Sequence, residues 1–286
     1  MNKLEKIYRF FDNIATLARN VNPMSEKIYH LFLYLYLTAK GYFFIKILRL
    51  RITNQEVFGQ KIYFPDFFLF LRIFFEVFIW KPYDFNTKNP TPKIIDCGAN
   101  IGIASLYFKL KYPKAKVICF EPSQPAFEYL KRNLSFSKDF ILVNAALLKS
   151  NKGIVNLKSP ENFPEAALET SIFSTRWPGL KIREERVKAV KLSDYIEQND
   201  VIDFLKIDVE GAESQVLEDL DQSSKLGLIK EMSVEYHHFS NDGSLKNILN
   251  ILSKNGFKLI ISGGVRPPLW WYKNKFYAVL IYAYRK

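Results

Sequence analysis

The chain is poor in the residues that bind metals or form disulfides. Its 286 residues include two cysteines, Cys97 and Cys119, and three histidines. Each cysteine falls near the end of an apolar, strand-like run, so the pair makes neither a secreted disulfide framework nor a zinc-finger spacing, and reduced core residues are expected. No Gly-Lys-Ser/Thr phosphate loop occurs anywhere. The dinucleotide fingerprint would need glycines at 98, 100 and 103, where the chain has Gly98, Asn100 and Ile103; both phosphate-cradling readings are weakened. Long apolar runs are missing too. Leu31 to Leu50 is broken by Lys40, Lys46 and Arg49, and Pro65 to Trp80 carries Arg72 and Glu76, short of the roughly 20 apolar residues that a membrane span needs. Met1 to Asn20 lacks a signal-peptide core, so the cytoplasm is expected, with possible peripheral attachment to the inner face of the membrane.

Acidic residues are outnumbered. Lys plus Arg total 41 against 29 Asp plus Glu, a net charge of +12, which favours phosphates, anionic lipid or acidic saccharide as partners. No aromatic-interleaved basic motif or helix-turn-helix accompanies it, so nucleic acid is not expected. Aromatic residues make up 16% of the chain and concentrate in the first 90 residues and the last 20. The two basic aromatic stretches before residue 85 either pack against protein or lie on a membrane surface as amphipathic helices.

The chain's organising stretch is Ile94 to Phe108, an apolar strand running into a turn and then a helix. Gly98 and Gly102 allow a ligand to lie close to backbone just before a helix N-terminus. By itself the pattern Asp96-x-Gly98-x-Asn100-x-Gly102 reads equally as a tight turn with a capping Asp. It resembles the first motif of class I S-adenosylmethionine (SAM) methyltransferases. In that resemblance Asp96 meets the ammonium tail of SAM and the two glycines allow its approach.

Before this stretch, residues 1–85 read as a helical extension with a short β-hairpin near 56–64, strands Glu56 to Phe58 and Lys61 to Phe64, and a helix from Asp66 to Tyr83. The boundary falls in the Pro- and Thr-bearing segment Asn86 to Pro92. From there short β-rich runs alternate with helices of about ten residues, which predicts a parallel sheet with right-handed crossovers. Ligands of such sheets bind beyond the carboxyl ends of the strands, so strand-end residues are the candidates. Glu121 ends the second strand, on the order of 20 residues past the glycine turn, where an acid hydrogen-bonds a ribose diol. Asn144 and Ala145 end the third, Asn144 for the adenine edge and Ala145 for room beside the ring.

Residues 148–192 interrupt the alternation, with strand-like runs at Ile154 to Leu157 and Arg186 to Lys191, and the Pro/Glu/Thr/Ser-rich stretch between them, containing Thr170 and Ser171, is expected to form a lid or substrate loop. The stretch Asp203 to Glu213 then places Asp208, Glu210 and Glu213 at a strand end. Asp208 and Glu210 suit work on an acceptor hydroxyl, Lys206 pairs with Asp208, and Glu213 reads as a helix N-terminal acid. Glu231 to Glu235 is another strand, ending in Glu235, His237 and His238. Histidine suits proton transfer near neutrality. The candidate catalytic residues are therefore Asp208, Glu210 and His237, with Glu235, His238 and Ser171 for the substrate. Asp208 and Glu210 offer hard oxygen ligands for a divalent metal, but acids alone do not define a metal site and none is expected.

Taken together, Asp-x-Gly-Ala-Asn-x-Gly, the Phe-Glu-Pro strand end, Leu-Lys-Ile-Asp-Val-Glu-Gly-Ala-Glu and Val-Glu-Tyr-His resemble the FkbM family of SAM-dependent methyltransferases, over roughly residues 56–284. The resemblance implies an α/β domain spanning 86–286, with a seven-stranded, mostly parallel sheet, helices on both faces, and antiparallel last strands at Phe257 to Ile261 and Phe276 to Tyr284. It implies SAM as cofactor, held by Asp96, Gly98, Asn100, Gly102, Glu121, Asn144 and Ala145, and methylation of a hydroxyl on a sugar, glycan or secondary metabolite. Two other readings stand beside it: a membrane-surface or anionic-polymer binding protein on a methyltransferase-like core, and an RNA methyltransferase.

Overall fold

The computed structural model describes residues 11, 13–15, 18, 24–150, 153–161, 170–172, 179–238, 244–263 and 277–285. The chain divides into two compact units, Met1–Asp84 and Phe85–Lys286.

In the first unit helix α1, Met24–Gly41, runs on into a wider helical turn, Tyr42–Ile47. The hairpin strands are β1, Asn54–Val57, and β2, Gln60–Tyr63, paired antiparallel. Their turn is Phe58-Gly59, both at positive φ, as a two-residue hairpin loop requires; the strands therefore sit earlier than the sequence pattern suggested. Helix α2, Phe67–Phe75, starts at Asp66, whose side chain accepts the Leu69 N–H at 2.8 Å, an N-cap bond. A π-helical turn, Glu76–Trp80, extends it and stops at Lys81 in the left-handed region, short of Tyr83. The core here is aromatic: Phe64 stacks on Phe70 at 4.5 Å and Phe74 on Phe78 at 4.6 Å.

The second unit begins with β3, Lys93–Cys97, followed by α3, Ile103–Lys111, β4, Lys116–Phe120, α4, Gln124–Leu134, and β5, Phe140–Val143. After a small sheet of β6, Ala146–Leu147, β7, Gly153–Pro160, and β8, Ile182–Val190, the main sheet resumes. It continues with β9, Ile202–Ile207, α5, Glu213–Gln222, β10, Ile229–His238, α6, Ser244–Lys254, β11, Lys258–Gly263, and β12, Tyr277–Tyr284. The main sheet has seven strands in the order β11-β12-β10-β9-β3-β4-β5. The expected seven-stranded, mostly parallel sheet is present, with one correction. Only β12 runs against the rest, because β11 and β10 both pair antiparallel with it.

Strand β9 is buried at all six positions, as a central parallel strand covered on both faces must be. Phe204 stacks on Phe85 at 4.5 Å, with Phe108 edge-on at 5.6 Å. Cys97 and Cys119 are buried free thiols. The two strand-like runs within 148–192 are present and longer than the pattern suggested: β7 and β8 pair antiparallel over eight residues. Ser171 forms an isolated bridge with Lys158. The rest of the Pro/Glu/Thr/Ser-rich stretch, 162–169 and 173–178, lies outside the described residues.

One buried carboxylate ties the segment before β3 to the sheet. Asp203, 1% exposed, accepts from Asn89 Nδ2 at 2.8 Å, Thr87 Oγ1 at 3.2 Å, the Lys93 N–H at 3.1 Å and Lys230 Nζ at 2.8 Å. Burial works to raise its pKa, but the bonds from Lys230, Asn89 and Lys93 outweigh it and hold the carboxyl below its ordinary value. Such a group stabilises the fold above its unfolded-state pKa, and the contribution is lost as pH falls through the lower folded-state value. Asp203→Ala is expected to cost on the order of 2–3 kcal/mol at neutral pH, read from urea unfolding, with the gap to wild type narrowing below pH 4; an unchanged midpoint would contradict this role.

Candidate active site

The ends of β3, β4 and β9 meet around one cavity, walled by Gly98, Asn100, Glu121, Ala145, Thr170, Asp208 and Glu210 among others, with about 620 Å³ of space when its open mouth is included. It lies at the carboxyl edge of the parallel strands, where ligands of such sheets bind.

The glycine turn is built by close approach. Gly98 has φ +83, and a Cβ there would sit 1.8 Å from the carbonyl oxygen of Asp208, so no other residue fits. The Asp208 N–H returns to the Cys97 carbonyl at 3.0 Å. Gly102, φ +91, precedes α3, and a Cβ there would press on Leu130 and Leu134. Asn100 also lies in the left-handed region, which Asn tolerates better than most residues.

Every backbone N–H of this turn already has an acceptor. Those of Gly98 and Ala99 bond the Phe120 carbonyl at 2.9 Å, and that of Gly102 bonds Ala99 at 2.8 Å. The Asn100 N–H bonds Glu121 Oε2 at 2.9 Å, and the Ile101 N–H bonds Asn100 Oδ1 at 2.7 Å. A phosphate nest works by offering such groups free. This turn offers a shape and a carboxylate instead.

Glu121 is that carboxylate. Its other oxygen accepts the Ser123 N–H at 2.9 Å. Burial pushes its pKa up to about 7, partly opposed by the Ser123 and Asn100 amides. Asn144 does not line the cavity. Its amide bonds the Glu121 and Pro122 carbonyls at 2.9 and 3.0 Å, bracing the β4 end, while Ala145 is on the wall.

Asp96 is also off the wall, fully buried. Ser105 Oγ donates to it at 2.6 Å, and Lys206 Nζ lies 3.0 Å from its other oxygen. Lys206 donates to the Gly98 carbonyl at 2.7 Å and lies 3.4 Å from Asp208. Burial works to lower the pKa of this ammonium, but Asp96, Asp208 and Glu235 outweigh it and raise it.

On the far side of Asp208 stands His237, 6% exposed. Its Nδ1 is 2.9 Å from Glu213 Oε1. Its Nε2 lies 3.3 Å from Glu210, 3.7 Å from Glu235 and 3.9 Å from Asp208. Burial works to lower its pKa, but Glu213 first, then Glu235 and Asp208, drive it up to about 9. At neutral pH it is an imidazolium among four carboxylates. Among the described residues, Asp208, Glu235 and His237 bring one ligand atom each within 4.8 Å of one another, a set that can also hold a hard divalent cation.

Glu210 has φ +55, costly for a non-glycine residue. It is held by the Ser171 Oγ, which donates to its carbonyl at 2.6 Å, and by His237 at its side chain. Ser171 therefore ties the insert to this loop, while its neighbour Thr170 lines the cavity. His238 lies apart from the cluster. Strand side chains alternate, so it falls on the face opposite His237 and Glu235, with Nδ1 at 2.9 Å from the Tyr236 hydroxyl.

The sequence profile of the Methyltransferase FkbM domain matches residues 96–259. Methyltransferase sdnD of Sordaria araneosa is 31% identical over 214 residues, covering 65% of this chain and 82% of that protein. The chain belongs to the FkbM methyltransferase family. The 31-O-demethyl-FK506 methyltransferase FkbM of Streptomyces tacrolimicus is 24% identical over 203 residues, 60% of this chain and 74% of that protein. A crystal structure of methyltransferase FkbM from Methylobacillus flagellatus superposes with a TM-score of 0.48 at 13% identity, over 98% of this chain, which spans 60% of that one's length.

In this FkbM methyltransferase three residues of the site gave little signal in the sequence. Ser105 was legible only as a small polar residue within the apolar first turns of α3. Glu213 was readable as a helix N-terminal acid, and its bond to His237 depends on β10 lying next to β9. Thr170 reaches the wall from the insert.

A His237 with a raised pKa stabilises the fold fully below its unfolded-state value near 6.5, and the contribution is lost as pH rises through about 9. Between pH 6.5 and 9 the wild type is therefore expected to lose on the order of 2–3 kcal/mol relative to His237→Gln in urea unfolding. Parallel pH profiles of the two proteins would refute the imidazolium.

Proposed function

We propose that this methyltransferase moves the methyl group of SAM to a hydroxyl oxygen of a sugar, glycan or secondary-metabolite acceptor. The observation that carries the donor half is the turn from Gly98 to Gly102, whose N–H groups are all engaged while Gly98 and Asn100 line the cavity and Glu121 faces it. A ligand without phosphates but with a hydroxyl pair and a flat apolar ring suits such a wall. SAM, when bound, supplies a methyl carried on a sulfonium, which needs no acid to leave.

The chain's own residues would do the rest. Glu121 accepts from the ribose hydroxyls, and Ala145, Ala146 and Leu147 form the apolar wall for the ring. Asp208 and Glu210, on the wall of the same cavity, accept the hydrogen of the acceptor hydroxyl and take its proton as the oxygen forms its new bond. An imidazolium has no lone pair for that proton. His237 thus serves as a positioning cation that keeps the acids ionised and in place, anchored in turn by Glu213. Lys206 does the same from the β3 side. The acceptor oxygen is supported by the relative in Streptomyces tacrolimicus, whose name specifies a 31-O-demethyl acceptor.

The test is transfer from methyl-labelled SAM into cell extract, fractionated into lipid, glycan, RNA and small-molecule pools. Alkali-stable label on a hydroxyl is expected, with Asp208→Asn and Glu210→Gln each lowering kcat on the order of 100-fold at unchanged SAM affinity. Label released by ribonuclease, or both variants as active as wild type, would overturn the reading.

A further inference from the structure

None of the residues assigned to methyl transfer precedes Asp84, yet the first unit carries the most unusual surface of the chain. Of the 20 exposed large apolar side chains among the described residues, 11 lie between Ile28 and Leu50. Helix α1 buries Tyr34 and Leu37, Tyr34 edge-on to Phe75 at 4.4 Å, but its other sides are no more polar. Phe32 stacks on Tyr36 at 6.3 Å, both exposed. The following turn, Tyr-Phe-Phe-Ile-Lys-Ile from Tyr42 to Ile47, buries none of its residues.

An apolar surface of this extent marks an interface, and its charge selects the partner. From Ile28 to Gln55 the sequence contains Lys40, Lys46, Arg49 and Arg51 and no Asp or Glu. Lys46, Arg49 and Arg51 are exposed among the apolar residues. A second copy of the chain would bring two such cationic faces together and repel. An anionic surface with an apolar interior satisfies both features, and aromatic side chains favour its boundary layer. Among the described residues no helix is long and apolar enough to cross a membrane, so attachment would be along the surface. We propose that residues 28–51 dock the protein on a bilayer bearing anionic lipid headgroups, with Phe32, Tyr36, Phe43 and Phe44 entering the interface and Lys46, Arg49 and Arg51 facing the headgroups.

The test is flotation of the full chain with phosphatidylcholine vesicles, with and without phosphatidylglycerol, at low and high salt, with sedimentation velocity run on the same samples without lipid. The wild type is expected to float with the anionic vesicles only, and less at high salt. Lys46→Glu with Arg49→Glu and Arg51→Glu should weaken partition at least fivefold per cation removed, the equivalent of about 1 kcal/mol each. Phe43→Ser with Phe44→Ser should weaken it roughly tenfold or more. The substituted side chains are exposed, so both variants should melt like wild type; if one does not, the other decides. No flotation with anionic vesicles at low salt, a folded variant that floats like wild type, or lipid-free self-association that the substitutions abolish would each overturn the proposal.

Discussion

The site depends on the seam between β3 and β9, where two backbones come closer than side chains allow. The Asp208 carbonyl occupies the space a Cβ on Gly98 would need, and the Asp208 N–H bonds the Cys97 carbonyl. Two strand ends are thereby locked at one height, with Lys206 bridging them beneath. The ligand-facing residues follow from that lock. Glu121 is aligned because the Asn100 N–H reaches it, and Asn100 is where it is because the turn must leave Gly98 along a left-handed path.

Charge is the second constraint. Asp96, Asp208, Glu210, Glu213 and Glu235 would repel one another in a buried edge if nothing intervened. Lys206 and His237 divide the task, the first sitting between Asp96 and Asp208, the second among the remaining acids. This explains why a family resemblance that points to many acids does not make them equivalent. Asp96 and Glu213 are closed off and hold cations in place, whereas Glu121, Asp208 and Glu210 remain on the cavity wall.

What was legible in the sequence was whatever depends on local order. The strand, turn and helix from Ile94 to Phe108, the alternation beyond it, and the strand-end positions of Glu121, Asp208 and Glu210 follow from periodicity and glycine placement. Pairings between distant segments were not. Asn144 read as an adenine contact because it ends a strand, but its amide bonds two carbonyls of the neighbouring strand end. His238 read as a substrate residue beside the catalytic candidate His237, but strand alternation puts it on the opposite face, against the Tyr236 hydroxyl. Ser171 read as a substrate residue in a loop, and is a tether between the β7–β8 sheet and Glu210. The hairpin strands sit earlier because the turn falls on Phe58-Gly59, an aromatic residue in a left-handed conformation that no propensity favours.

The most direct measurement is a calorimetric titration of the full chain with SAM at pH 6 and pH 8, for wild type and Glu121→Gln. A carboxyl with its pKa pushed up to about 7 must give up its proton to accept from ribose hydroxyls, so wild-type binding should tighten from pH 6 to pH 8 and release a proton. Glu121→Gln should bind roughly ten- to a hundredfold more weakly, the loss of a charge-assisted hydrogen bond, with no change between the two pH values. No binding at millimolar SAM, or a Glu121→Gln titration that matches wild type at both pH values, would contradict the assignment of this cavity.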